Sequence, residues 1–351
     1  MKKINKMLRK IKYTFLFIIV GALVFLGYFM SLDNAYKVTR ERVIKAPAKL
    51  VYLQIADLKN WNKWSQFKEK DSTMQFEFEQ STNKEGDFFR FTDSNGMRQK
   101  LTNLTLSPDS LVVQSLSSNE QTQEFKWQII PQEDGVLVRW TAEGELPFMQ
   151  RIYSKEMDDM IGPQLTRGVE LLDKSVQADM QKHETTIEKV SELSSTYYLY
   201  KSASCKFEDL GKKLDELLPD VLMYVINNHI EMNGKPFTIY NKRDVANNSV
   251  IFSSCMPTKE KISAKGDILT GQTPGGKYLK IKFQGDYKYL KGAWQKADDY
   301  VQNNGSLIVD ATRAPFEVYV KGHTKSLNPA DWITELYIPI IEIINPDNMP
   351  Q

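Results

Sequence analysis

The sequence predicts an α+β protein: an N-terminal transmembrane helix followed by two soluble domains. Three observations predict it. An apolar run near the N-terminus carries no charge, a stretch of period-two alternation is closed by a long amphipathic helix, and the order strand, helix, strand, strand occurs twice in the second half.

From Tyr13 to Leu32 the chain reads YTFLFIIVGALVFLGYFMSL, about 20 residues that as a helix just span a hydrocarbon core. Lys2, Lys3, Lys6, Arg9, Lys10 and Lys12 precede the run. The positive-inside rule therefore places residues 1–12 in the cytoplasm, 13–32 in the membrane and the rest outside, a single-pass membrane protein with extracytoplasmic domains. Lys37, Arg40, Arg42 and Lys45 follow closely and weaken that bias. A cleaved secretory signal is the alternative, but the run is longer than a usual signal core and no small-x-small site follows it directly. A buried core helix would show a polar stripe that this run lacks.

The chain behind the run exceeds what one hydrophobic core usually organises, and it divides near residues 182 to 186. With a net charge of +2 and no Lys/Arg cluster beyond the N-terminus, nothing electrostatic points to nucleic acid as a partner. Cys205 and Cys255 are the only cysteines and read as small buried residues rather than a disulfide framework.

Between Val38 and Trp140 short runs alternate apolar and polar residues, as in Phe89 and Phe91, Phe125, Trp127 and Ile129, or Val136, Val138 and Trp140. Such runs predict an antiparallel sheet with one wet face. A short helix opened by Pro47 follows the first strand, with Val51, Ile55 and Leu58 on one side. Met157, Ile161, Leu165, Val169, Leu172 and Val176 recur at three and four, the mark of a long helix that Gly162 and Pro163 should kink. Together these elements form a grip around a cavity. Glu143 and Glu145 share a strand face near its end, which is more in keeping with a wet surface than with a cavity lining.

The phrase VTRERVIKAPAKLVYLQIADLKNWNKW, with Ala46-Pro47 opening the helix and Asp57, Trp61 and Trp64 in the following loop, resembles the polyketide cyclase, START-like superfamily (SRPBCC). The resemblance covers residues 36–182. It implies a START-like helix-grip domain enclosing an apolar ligand between sheet and helix. Trp61 and Trp64 read as plugs for the end of the grip rather than as ligand contacts.

In the second half, strands at Tyr197 to Tyr200, Pro236 to Tyr240 and Val250 to Cys255 bracket a helix carrying Phe207, Leu210, Leu214 and Leu217, which Pro219 should interrupt. The second copy has strands at Lys277 to Phe283, Phe316 to Val320 and Trp332 to Ile338, and a helix bearing Tyr287, Leu290, Trp294, Ala297 and Val301. Alternation puts Phe316, Val318 and Val320 on one strand face and Glu317 and Tyr319 on the other; likewise Leu336 and Ile338 oppose Glu335 and Tyr337. If the apolar faces meet the helices, the opposite face gathers Glu317, Tyr319, Glu335 and Tyr337, with Tyr240 joining them from the first copy. Such a surface suits a flat or cationic organic ligand, because rings contribute cation-π attraction of about 0.5 to 2 kcal/mol and a carboxylate adds charge selectivity. A solvated strand face in which Glu pairs with Lys is the other reading.

NGKPFTIYN, TPGGKYLKIKFQGDYKYL, APFEVYV and DWITELYIPI resemble, in order and spacing, the GyrI-like family, the effector-binding domain of bacterial transcription activators. The resemblance covers about residues 187–342, in a domain expected over 187–344. It implies a small-molecule-binding domain of two βαββ repeats with the cleft at their junction, its central acid corresponding to Glu335 and its Glu-x-Tyr phrase to Glu317 and Tyr319. The implied ligand is apolar or a cationic amphipath. A hydrolase or detoxifying enzyme using Glu335 with Tyr337 or Tyr319 is the alternative. Regulators of the group carry a helix-turn-helix ahead of this domain, where this chain has an apolar helix and a grip.

Independent catalytic signatures are absent: there is no HExxH, GxSxG or CxxC. His183, His229 and His323 are too scattered to suggest a metal, and no cofactor is expected. Gly275-Gly276-Lys277 precedes a strand and reads as a tight turn rather than a phosphate loop.

Overall fold

The structure, a computed structural model, describes residues 2–71, 73–79, 81–93, 96–118 and 121–343. The side chains of Lys2, Lys3, Lys6 and Arg9, and the expected domain limit Ile344, lie outside what is described. The chain divides into two compact units, residues 1–178 and 179–351.

Unit 1 begins with α1 (Lys2–Ser31), of which Lys10–Ser31 is long and apolar enough to cross a membrane, with a mean hydropathy of 2.2. There follow β1 (Ala35–Ile44), three helices α2 (Ala48–Ala56), α3 (Trp61–Trp64) and α4 (Gln66–Lys70), and the strands β2 (Glu77–Phe78), β3 (Phe88–Thr92), β4 (Arg98–Ser107), β5 (Leu111–Ser117), β6 (Thr122–Gln132) and β7 (Gly135–Glu145). The strands form one antiparallel sheet in the order β1-β7-β6-β5-β4-β3-β2. Helix α5 (Met157–Met180) closes the unit, burying Leu165, Val169, Leu172 and Val176 and running continuously through Gly162 and Pro163.

The interior that the sequence reserves for a cavity is filled with rings. Trp61, Trp64, Trp127 and Trp140 are all at most 2% exposed, with Trp127 and Trp140 stacked at 4.0 Å and Trp61 and Trp64 tilted at 4.4 Å. The N–H groups of Trp61 and Trp64 complete α2, whose last carbonyls have no partner within the helix. Trp64 Nε1 donates to the Gln54 carbonyl and Trp61 Nε1 to that of Ile55, each at 3.0 Å. Asn103 Nδ2 reaches the Ala56 carbonyl at 2.9 Å. Gln114 ties Asn103 to Trp127, donating to the first and accepting from the second. Trp61 and Trp64 therefore lie on the short helix α3 rather than in a loop, and their role here is to fill and cap. Glu143 and Glu145 line an open groove of about 950 Å³ at the ends of β1, β6 and β7, with Tyr36, Lys37 and Glu124.

Unit 2 comprises β8 (Glu184–Leu193), β9 (Thr196–Lys206), α6 (Leu210–Asn227), β10 (Phe237–Asp244), β11 (Ser249–Thr258), β12 (Leu269–Thr273), β13 (Gly276–Gln284), α7 (Leu290–Asn303), β14 (Leu307–Val309), β15 (Phe316–Lys321) and β16 (Ile333–Glu342). The long sheet runs β12-β9-β11-β10-β15-β16-β13-β8, with β14 paired to β16. Strand, helix, strand, strand thus occurs as β9-α6-β10-β11 and as β13-α7-β15-β16, and the two sets meet where β10 pairs with β15. Pro219 does not interrupt α6, which continues to Asn227. Leu217, Val221 and Val225 on either side of the proline are buried, and their packing against β9 and β11 outweighs one lost backbone hydrogen bond. The Gly275-Gly276 pair is a turn before β13, with Gly276 at φ +132 where a side chain would be strained. Cys205 and Cys255 are both free, Cys255 buried and Cys205 partly exposed.

Gly168 tests the packing of unit 1, because a Cβ there would lie 2.3 Å from Trp140 Cζ3. Gly168→Ala should lower stability by about 1 to 3 kcal/mol, the usual cost of overpacking, as measured by denaturant unfolding of the detergent-solubilised chain. Unchanged stability would mean that α5 does not rest on the tryptophan layer.

Candidate ligand-binding site

The helices decide which face of the unit 2 sheet is enclosed. α6 packs on β9 and β11 and α7 on β13, and the core between helices and sheet holds Leu217, Phe252, Ile281, Trp294, Ala297, Leu336 and Ile338. Residues paired across antiparallel strands point to the same side. Glu317 pairs with Leu336 on one side and Thr238 on the other, and Tyr240 pairs with Phe252. Glu317, Tyr319 and Tyr240 therefore face the helices. Phe316 pairs with Tyr337 and Val318 with Glu335, so Glu335 and Tyr337 lie on the helix-free face.

This corrects the expected grouping. The five predicted residues do not share one surface: Tyr240, Glu317 and Tyr319 form one cluster, and Glu335 and Tyr337 belong to another. The assumption at fault is that the most apolar strand face must meet the helices. Phe316 and Val318 instead join Phe237, Ile239, Cys255, Tyr278 and Tyr337 in a second apolar cluster on the opposite face. Both faces of these central strands are buried, so alternation separates the two sets of residues without saying which set lies under the helices.

On the helix side Glu317 is 1% exposed. Its carboxylate accepts hydrogen bonds from Trp294 Nε1, from the Tyr319 hydroxyl at 3.2 Å and from Tyr240. The Tyr319 hydroxyl also lies 2.9 Å from Thr238 Oγ1. Burial raises the carboxyl above its ordinary value, against the opposing pull of the hydrogen bonds from Trp294, Tyr240 and Tyr319. Arg243 acts on it only through space, its nearest acid being Asp298 at 3.8 Å. Tyr240 meets Trp294 edge-on at 5.4 Å. Outward from Glu317, Tyr287 packs against Tyr319 at 5.8 Å and against Trp332 at 4.8 Å. Tyr287 is partly exposed, and burial pushes its phenol up to about 12. The result is a buried carboxylate ringed by aromatic side chains, with a partly open aromatic wall leading to it.

Glu335 is differently placed. Lys280 Nζ lies 2.9 Å from its Oε1 and 3.2 Å from Glu188 Oε2, and the Tyr337 hydroxyl donates to Glu335 at 2.7 Å. It thus has a direct counter-ion, which it shares with Glu188. Around it runs a band of rings, Tyr198, Phe237, Phe316 and Tyr337, each within 6 Å of the next.

Sequence reasoning missed Trp294, Tyr287 and Trp332 as site residues. Trp294 was read as core, which it also is, and only its indole N–H marks it as a partner for a buried acceptor. Among the described residues no group of His, Cys, Asp and Glu could hold a metal ion.

A search of curated proteins finds no match. Among solved structures, the cryo-EM structure of an EcmrR–DNA complex is similar at 18% identity over 56% of this chain and 72% of that chain, TM-score 0.41. The EcmrR C-terminal domain matches at 18% identity over 46% of this chain and 99% of that one, TM-score 0.40. SA2116 of Staphylococcus aureus, a protein of unknown function, matches at 15% identity over 44% and 99%, TM-score 0.36. The DNA belongs to the first of these proteins. Within the sequence, residues 186–341 match the family model of the GyrI-like small molecule binding domain.

Proposed function

We propose that this protein binds an aromatic or amphipathic cation in its GyrI-like domain, with Glu317 as the recognising acid, and that α1 holds it at a membrane. One observation carries the ligand reading. Glu317 is buried, has no ion-pair partner among the described residues and is surrounded by Tyr240, Trp294 and Tyr319. A buried, uncompensated carboxylate is costly in a protein interior, and a ligand cation is what would balance it. Aromatic faces add attraction for the same charge. Entry would be past Tyr287 and Trp332, the exposed end of the ring series. Glu335 is the poorer recognising acid because Lys280, shared with Glu188, already forms an ion pair with it.

The anchor reading rests on the length and apolarity of Lys10–Ser31 and on the basic residues before it, which favour a cytoplasmic N-terminus with both units outside. For unit 1 the order of elements, a strand, short helices, a meander and a long closing helix, supports a START-like helix grip over residues 36–182. Its tryptophan-filled interior favours a structural part over a second ligand cavity.

Three outcomes test this reading. Binding of a naphthylmethyl-trimethylammonium ion to the detergent-solubilised chain, followed by calorimetry, should weaken at least about tenfold in Glu317→Gln and change little in Glu335→Gln; equal effects would sink the assignment. The raised Glu317 carboxyl also has a stability signature, with the sign fixed by linkage. A pKa raised by folding favours the folded state below the ordinary value of 4.5, and that contribution is lost as pH rises through the folded pKa. Glu317→Gln does not titrate, so its stability relative to the parent should improve as pH rises from about 4 toward neutrality, read from paired denaturant titrations. Finally, the protein should remain with membranes through alkaline carbonate extraction, and removal of residues 1–32 should release it.

A further inference from the structure

A second feature of the same cluster bears on which cations the site accepts, and the inference rests on the Glu317 reading above. β10 does not pair evenly with β11. Tyr240 pairs with Phe252 and Lys242 with Ile251, so Asn241 is an extra residue in β10. A bulge of this kind re-aims the side chains beyond it. Without it, Arg243 would fall on the face opposite Tyr240. With it, Arg243 pairs with Val250, a member of the helix-side core, and both Tyr240 and Arg243 turn toward α7. The Arg243 guanidinium carbon lies 4.3 Å from the centre of the Trp294 ring, and that same indole donates its N–H to Glu317. Arg243 also sits 3.8 Å from Asp298, one helical turn further along α7. Its side chain is about one-quarter exposed, 24%, so it can swing outward while Glu317 cannot.

We propose that Arg243 is the resident cation of this cluster, a specificity-determining residue that an incoming cationic ligand must outcompete for the Trp294 face and for the field of Glu317. The arginine occupies the ring face that offers cation-π attraction, and its positive charge is felt by the buried carboxylate. Asp298 gives the guanidinium somewhere to remain when it leaves the ring, since it already lies near one oxygen of that acid. The device excludes weakly held cations and admits those whose own aromatic surface replaces what Arg243 provides. A neutral ligand, which takes no charge to Glu317, does not compete in this way.

The test compares a cationic and a neutral probe of similar ring size, naphthylmethyl-trimethylammonium and 2-naphthalenemethanol, on the full chain in detergent. Arg243→Gln should bind the cation about three- to tenfold more tightly than the parent and the alcohol equally well. Arg243→Lys, which keeps the charge, should stay near the parent for both. A purely structural arginine predicts the opposite, that Arg243→Gln loosens Trp294 and weakens both probes together, and that result would overturn the proposal. If Arg243→Gln leaves cation affinity unchanged while Glu317→Gln lowers it, the competitor role falls and the Glu317 reading stands. If neither substitution alters cation binding, both fall. Should Arg243→Gln fail to fold, the parent protein still decides. The Arg243 Nε–H resonance, assigned from its absence in Arg243→Lys, should move on adding the cation and not on adding the alcohol, and a resonance that stays fixed in both titrations rejects the displacement.

Discussion

Three rungs of backbone pairing between β10 and β15, Phe237 with Val318, Thr238 with Glu317 and Ile239 with Phe316, are the constraint on which unit 2 depends. Among the described residues this short ladder is the one strand-to-strand joint between its two strand–helix–strand–strand sets. It fixes both the continuity of the sheet and the side on which each central residue points. A slip of one residue would exchange the faces, bringing Phe316 under the helices and Glu317 out among the rings on the other side. Two separate apolar clusters, one on each face, hold the register, because either direction of slip would put polar groups into one of them.

That register forces a carboxylate into the core, and the surrounding sequence supplies what the carboxylate requires. An isolated buried carboxylate would shed its charge or destabilise the fold. Here a tryptophan and two tyrosines donate to it, and hydrogen bonds to an ionised acceptor are stronger than those between neutral groups. The donors come from α7, from β10 and from β15 itself, so every element meeting at the joint contributes one. The helix-free face solves its own acid differently, with Lys280 bridging Glu335 and Glu188. The lysine reaches both because β8 carries an extra residue between the positions paired with Leu279 and Ile281, and that irregularity leaves Glu188 opposite it. One sheet thus treats two acids by opposite means, donors without charge on one face and a counter-ion on the other.

Much of this was legible in the sequence. The apolar run, the alternating strands of unit 1, the long helix and the doubled order of elements in unit 2 all follow from periodicity, which is strong wherever one face is wet. What failed is the assignment of faces in β15, and of Tyr240 on β10, whereas Leu336 and Ile338 of β16 do meet the helices. Phe316 and Val318 looked like core residues and are core residues, but of the second cluster. Period two cannot choose between two buried faces, and only the positions of α6 and α7 do. Pro219 misled for a related reason: a proline rule is local, while the buried Leu217, Val221 and Val225 are tertiary. Trp294 was recognised for its spacing and not for its N–H, because a helical pattern records where a ring lies and not what its edge meets.

The uneven treatment of the two acids also bears on how unit 2 would respond to a ligand. An acid that already holds a direct counter-ion gains less when another cation arrives, since one ion pair is exchanged for another. Glu317 differs because hydrogen bonds stabilise its charge without cancelling it, so its field persists through the low-dielectric surroundings made by Tyr240, Trp294 and Phe252. A cation placed there would lower the free energy of the folded state in proportion to what burial now costs. Saturating ligand adds about 2.7 kcal/mol of stability at a hundred times Kd. In the proposed site the gain is concentrated on one strand joint and one helix, because β10, β15 and α7 each hold one donor to the same carboxylate. Binding at Glu317 would then be felt first as a tightening of α7 on the β10·β15 joint, where donors from both halves of the domain meet one carboxylate.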